Sequence, residues 1–298
     1  MKRSSWAALL LVLAGCFGVG ADHERLGDEA LAKSDPVTAL AEYQAALGVR
    51  GTAQLYAKVG AAALRAKRAL VAAEAYRDLV ADDPSRLDEA VTGLQLAAET
   101  AERANDAPGL AASVATLRDV APDRLAPRYA LALVRTGNLS AQELVAVLPY
   151  ALAAAPDAAV MDSLLAVYGG ALRQTTACDD AMKAFESLRR RSRDRRSTQL
   201  AREGLAACGV QLGSEALEAR DRFSAEKWFV AAVVADSTGP AGRRALVELG
   251  DLRRAQGDLL GAALSYQSAI GPSADDSLGR VARAKLDALA AAAPDTTS

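Results

Sequence analysis

Beyond residue 22, the apolar positions of this chain never settle into the every-second-residue alternation of β-branched side chains that a strand shows. Alanine, leucine and arginine dominate, aromatics are sparse, and the pattern predicts helices throughout. Short polar breaks divide them. Residues 86–122 hold two helical stretches separated around Asn105-Asp106-Ala107-Pro108 and ended by Pro122. Residues 126–156 split at Thr136-Gly137-Asn138 and end at Pro156, and residues 158–191 split near Gln174-Thr175-Thr176. A helix over 197–208 either pairs with its neighbour or runs on through Gly209, so 197–220 reads as one helix or two.

A spacing recurs within these helices. From Leu26-Gly27 an alanine follows at Ala39, an aromatic at Tyr43 and a small residue at Ala46. The same offsets from Val59-Gly60 give Ala72, Tyr76 and Leu79, with Pro84 after them; from Leu212-Gly213, Ala225, Phe229 and Ala232; from Leu249-Gly250, Ala262, Tyr266 and Ala269. Ala181 and Phe185 sit at the same spacing in the weaker middle. Small residues let two helices approach closely, and the aromatic plugs the gap between one helix pair and the next. Proline then ends the second helix, because it lacks an N–H and its ring clashes with the preceding turn. The pattern resembles the tetratricopeptide repeat, a helix-turn-helix unit of about 34 residues. That resemblance implies an all-α, right-handed α-α superhelix of about seven hairpins over residues 23–292. The amphipathic stretch 277–292, with Arg280, Arg283, Lys285 and Asp287 beside its apolar stripe, reads as a capping helix, and 293–298 as a frayed tail.

The front of the chain follows different rules. Trp6 to Gly15 is ten apolar or small residues, against roughly 20 needed to cross a bilayer as a helix. Lys2 and Arg3 precede it and small residues close it, as in an export signal. Leu13-Ala14-Gly15-Cys16 resembles the lipobox of bacterial lipoproteins, which implies cleavage after residue 15, acylation of Cys16 and a short lipidated linker over 16–22. An ordinary secretory signal that contains a cysteine, or an uncleaved anchor, is the competing reading. Two or three acyl chains on one cysteine hold a protein durably on a membrane, whereas one chain binds reversibly. Phe17, where the family's inner-membrane members tend to carry Asp, implies the outer membrane's periplasmic face.

Charge and composition narrow the function. Losing residues 1–15 removes Lys2 and Arg3 and no acid, so the net charge moves only from −2 to −4, which argues against a nucleic-acid binder. With Cys16 lipidated, Cys178 and Cys208 remain, and in an oxidising compartment they are expected to be bridged, with two separately buried thiols as the alternative. The lone His23 excludes two-histidine metal sites and leaves no metal or cofactor expectation. The acid pairs Asp82-Asp83, Asp179-Asp180 and Asp275-Asp276 fall at helix boundaries, where they cap free N–H groups. Gly169-Gly170 forms no phosphate cradle, and no nucleotide motif is present. The basic run 188–196 either docks on an acidic surface or is a solvated connector.

The resemblance implies a partner groove lined by the first helix of each repeat. Its positions here are Glu24, Asp28 and Leu31; Ala57, Ala61, Leu64 and Arg65; and Val247, Asp251 and Arg254. The expectation is a non-enzymatic, lipid-anchored adaptor that binds envelope proteins or peptide segments, similar to tetratricopeptide lipoproteins of outer-membrane, pilus or secretin assembly and of peptidoglycan-enzyme regulation. A periplasmic small-ligand or glycan-binding protein is the alternative, for which Trp228 is the one tryptophan beyond the signal.

Overall fold

Aspartate and proline mark where the helices begin. Asp35, Asp106, Asp157, Asp194, Asp221 and Asp258 each accept a hydrogen bond from the backbone N–H three residues on, at 2.8–3.1 Å. Each thereby satisfies one of the N–H groups that a helix start leaves unpaired. Pro36, Pro127 and Pro240 open helices of their own, at positions where a missing N–H costs nothing. In a computed structural model, which describes residues 20–271 and 276–291, all regular structure among those residues is helical. The export signal, Cys16, Asp275 and the 293–298 tail lie outside the described residues.

The helices group into two compact units that divide between Asn138 and Leu139. The first holds α1 (20–32), α2 (Pro36–Val49), α3 (Ala53–Arg65), α4 (Ala69–Asp82), α5 (Leu87–Ala104), α6 (Ala107–Val120) and α7 (Pro127–Arg135). The second holds α8 (Ala141–Ala153), α9 (Ala158–Gln174), α10 (Cys178–Arg191), α11 (Arg195–Glu218), α12 (Arg222–Ala235), α13 (Pro240–Ala255), α14 (Leu259–Ile270) and α15 (Ser277–Ala291). Within each unit consecutive helices fold back on one another. The first helices of neighbouring pairs also touch: α3 meets α5, and α9, α11 and α13 pack in series up to α15. That is the arrangement of tetratricopeptide-like hairpins.

Two elements differ from the sequence pattern, and one question it left open is settled. Residues 20–22, read as linker, are already helical. The pair expected over 126–156 is divided at the unit boundary: α7 packs on α5 and α6, while Val145 and Leu152 of α8 pack against the α9–α11 core. The open question at 197–220 resolves into one helix, α11, of 24 residues. Gly209 and Gly213 do not break it, because each is a contact point. A Cβ on the first would strike Ala232 and the backbone of α12, and one on the second would strike the Phe229 ring.

The repeated aromatics fill the gaps between pairs. Tyr43, Tyr76, Phe185, Phe229 and Tyr266 are all buried, as are Ala39, Ala72, Ala225 and Ala262 beside them. Tyr76 lies between α3 and α5 because Gly60 and Gly93 leave room for its ring, and a Cβ on either would overlap it. Burying an aromatic side chain contributes roughly 1.5–3 kcal/mol, and the rings of Tyr76 and Phe185 meet glycines of two successive hairpins.

The turns inside the hairpins share one backbone device. Ser34, Lys67, Asn105, Thr176, Arg220 and Gly257 all adopt positive φ, between 53° and 84°. Each stands immediately before the residue that starts the second helix, and four of those are the capping aspartates Asp35, Asp106, Asp221 and Asp258. A residue in the left-handed region ends a helix tightly, so the chain reverses in two or three residues.

Candidate functional site

In the first unit, three of the sequence-mapped groove residues converge. Asp28 and Leu31 of α1 and Arg65 of α3 line one concavity of about 610 Å³, with Ala32, Ser34 and Pro36 completing its wall. Asp28 is held in place. Its carboxylate accepts from the Tyr43 hydroxyl at 2.7 Å and from Lys58 Nζ at 2.8 Å, and Lys58 also pairs with Glu24 at 2.8 Å. Burial disfavours the charged form of Asp28, but the hydrogen bonds from Lys58 and Tyr43 outweigh it and hold the carboxyl below its usual range. Glu24 therefore serves this network and is not among the residues lining the concavity. Leu64 is half-buried and Ala57 is buried in the core, so neither lines it.

The same side-chain arrangement recurs at the other end of the chain. Asp251 of α13 accepts from the Tyr266 hydroxyl at 2.8 Å and from Lys285 of α15 at 2.7 Å. Burial and the Asp251 carboxylate push the Tyr266 phenol up to about 12. In both cases the aspartate follows the glycine that admits the ring, Gly27 or Gly250, and a lysine arrives from the next first helix. Arg254 is exposed on the same helix as Asp251, while Val247 is buried in the core.

The second unit carries a larger groove that the sequence mapping did not name. Arg173, Gln211, Ser214, Glu215, Glu218 and Arg244 line a concavity of about 730 Å³ together with the apolar Ala207, Val210 and Pro240. A further concavity of about 380 Å³ shares Arg173, Ala207, Pro240 and Ala241 with it, extending the surface toward Leu200 and Asp236. Together these span α9, α11 and α13. The lining is mixed in charge: Gln211 donates to Glu215 at 3.0 Å, and Arg244 lies 4.0 Å from Glu248. A groove of this kind offers hydrogen bonds and both signs of charge to an extended or helical peptide. Its signal in the sequence is the polar spacing 211, 214, 215 and 218, which forms one stripe only if α11 is continuous.

Two cysteines lie next to Gln211, one of the residues lining this groove. Cys178, the first residue of α10, and Cys208 of α11 are both buried, free thiols with their Sγ atoms 2.7 Å apart. The Cys178 thiol also donates to Gln211 Oε1 at 3.3 Å. Burial pushes both thiols up, which keeps them protonated.

The remaining candidates have intramolecular roles. His23 Nδ1 lies 2.7 Å from Glu42, joining α1 to α2. In the basic run, Arg189 and Arg190 pair with Glu186 and Arg191 with Asp162. Asp83 accepts from the Ser85 N–H, and Asp179 and Asp180 occupy the first turn of α10. Trp228 is half-buried on α12, with Lys227 Nζ 5.9 Å from its ring centroid, and is not part of either groove lining. Among the described residues no cluster of three His, Cys, Asp or Glu is placed to hold a metal ion, and no helix is long and apolar enough to cross a membrane.

No protein-family model matches the sequence, and no curated protein matches it. Solved structures do resemble it at low similarity. PilF of Pseudomonas aeruginosa is 14% identical with a TM-score of 0.27, covering 91% of this chain and 99% of that one. A tetratricopeptide repeat protein from Parabacteroides merdae is 17% identical with a TM-score of 0.27, covering 92% and 99%. The tetratricopeptide domain of P58(IPK) is 12% identical with a TM-score of 0.27, covering 91% and 98%. Likenesses at this level carry no argument about what this chain binds.

Proposed function

We propose that the chain is a non-enzymatic adaptor, tethered by a lipid on Cys16 to a bacterial envelope membrane, which holds peptide segments of partner proteins in grooves along its first helices. One observation carries the reading: Asp28, Leu31 and Arg65, picked out by repeat position alone, converge on a single open concavity. A charged floor beside an apolar residue suits a peptide better than a small molecule, which favours a more enclosed and apolar pocket. The second unit's groove, lined by Arg173, Gln211 and Glu215, supplies a similar surface. Tethering adds affinity by raising local concentration at the membrane. Facing the periplasm from the outer membrane is part of this reading.

The test is crosslinking in intact cells followed by purification of the chain, comparing the native sequence with Arg65→Glu and with Cys16→Ser. The expected result is one envelope complex whose recovery falls at least several-fold with Arg65→Glu and weakens with Cys16→Ser. Recovery of the same proteins from all three would sink the groove reading. A Cys16 peptide without acyl chains, by mass spectrometry, would sink the tether.

A further inference from the structure

We propose that Cys178 and Cys208 form an intramolecular disulfide that pins α10 to α11 next to Gln211 of the second unit's groove. The two sulfurs are 2.7 Å apart, so closing to a bond of ~2.05 Å needs a movement of about 0.7 Å. The surfaces being joined are already packed, with Ala181, Phe185 and Leu188 of α10 and Ala201 and Leu205 of α11 in one buried cluster with the cysteines. Neither sulfur is held by a metal cluster among the described residues.

The chemistry is thiol–disulfide exchange with a small-molecule or protein disulfide as oxidant. One protein thiolate attacks that disulfide and forms a mixed disulfide, releasing the first thiol. The second protein thiolate then attacks the mixed disulfide and releases the other. Two electrons and two protons leave with the two product thiols, and one S–S bond replaces another. In the folded chain both thiols are buried and kept protonated, so exchange is slow in either direction. The bond therefore forms while α10 and α11 are still open, and folding then shields it from reductant.

Closure also changes the groove. The Cys178 thiol proton now satisfies Gln211 Oε1. Once the bond has formed that donor is gone, and Gln211 turns its carbonyl to the groove that it lines. This consequence for binding rests on the adaptor reading, whereas the bond does not.

The test uses the full chain with Cys16→Ser, so that only these two cysteines are present. The protein is unfolded with reductant and refolded either in a buffer rich in glutathione disulfide or in one kept reducing. It is then quenched with acid, unfolded, alkylated and digested. The expected product of oxidative refolding is a single linked species joining the two cysteine peptides, lighter by two hydrogens than their sum. Its thermal midpoint lies several degrees above that of the reduced protein. Adding Cys178→Ala or Cys208→Ala abolishes both the linked species and the difference between buffers. Full alkylation of both cysteines after oxidative refolding would overturn the proposal, as would a linked species that melts below the reduced protein. Neither outcome depends on partner or membrane, so a failed adaptor experiment leaves this result standing.

Discussion

At the scale of single residues, the hairpin turns are where local preference and fold disagree most. Six of them need a left-handed residue, yet the positions include Ser34, Lys67, Thr176 and Arg220. An L side chain in that region costs roughly 1–2 kcal/mol, and β-branched threonine is the worst suited of the four. Replacing Thr176 by Asn, which tolerates the conformation, is expected to stabilise the chain by about 0.5–1 kcal/mol. A raised urea midpoint at unchanged m-value would show it. A lowered or unmoved midpoint would mean that the Thr176 hydroxyl, which donates to the Thr175 carbonyl at 2.7 Å, offsets the strain. This turn was only half legible in the sequence. Asn105-Asp106 and Gly257-Asp258 announce it, but lysine or arginine in the same place gives no sign. The aromatics were easier to read: tyrosine and phenylalanine are scarce here, and a scarce large ring at fixed distance from alanines and glycines has few roles other than packing.

At the scale of helices, one buried side chain ties the start of α15 to α13 and to the end of α14. Arg243 of α13 donates to the Ala269 and Ile270 carbonyls at the end of α14, at 2.8 and 3.1 Å, and to the Asp276 carboxylate. Asp276 also caps α15 by accepting from the Gly279 N–H at 2.7 Å. The Arg243 hydrogen bonds, and then that N–H, lower the Asp276 carboxyl to about 2. A carboxyl depressed in the folded state stabilises fully above its unfolded value near 4, and the contribution is lost as pH falls toward the folded value. Protection of the α15 amides from exchange is therefore expected to drop between about pH 4 and pH 2. In an Asp276→Asn chain that pH-dependent step should disappear. An equal step in both chains would assign it to other carboxylates. The helix that the sequence left open was α11, because Gly209 and Gly213 each lower helix propensity by about 1 kcal/mol. Close approach to α12 offsets that cost, and the approach involves residues twenty or so positions away that a local pattern does not see. The larger groove was missed for the same reason.

At the scale of the whole chain, helical hairpins whose contacts run mainly to neighbours need not unfold as one body. The division between Asn138 and Leu139 gives that expectation a place. Trp228 lies in the second unit, and Trp6 is the one other tryptophan in the sequence. In a Trp6→Phe chain, tryptophan fluorescence therefore reports the second unit alone, while circular dichroism at 222 nm reports all helices. The two urea transitions are expected to separate. Coincident curves would show that the units unfold together. The fold class was legible because four strong repeats, two near each end, fixed the pattern into which the weaker middle was fitted. The partner was not, since groove residues such as Arg65 and Gln211 are ordinary polar side chains until neighbouring helices bring them together.

Tyr76 sits in a notch cut half into its own hairpin, by Gly60, and half into the next, by Gly93. Ownership of that ring is thus shared between successive hairpins of the first unit. Deleting one hairpin by recombination would leave a phenol facing a bare step, so this molecule can grow or shrink only at junctions where the newly joined neighbours again supply a matching recess.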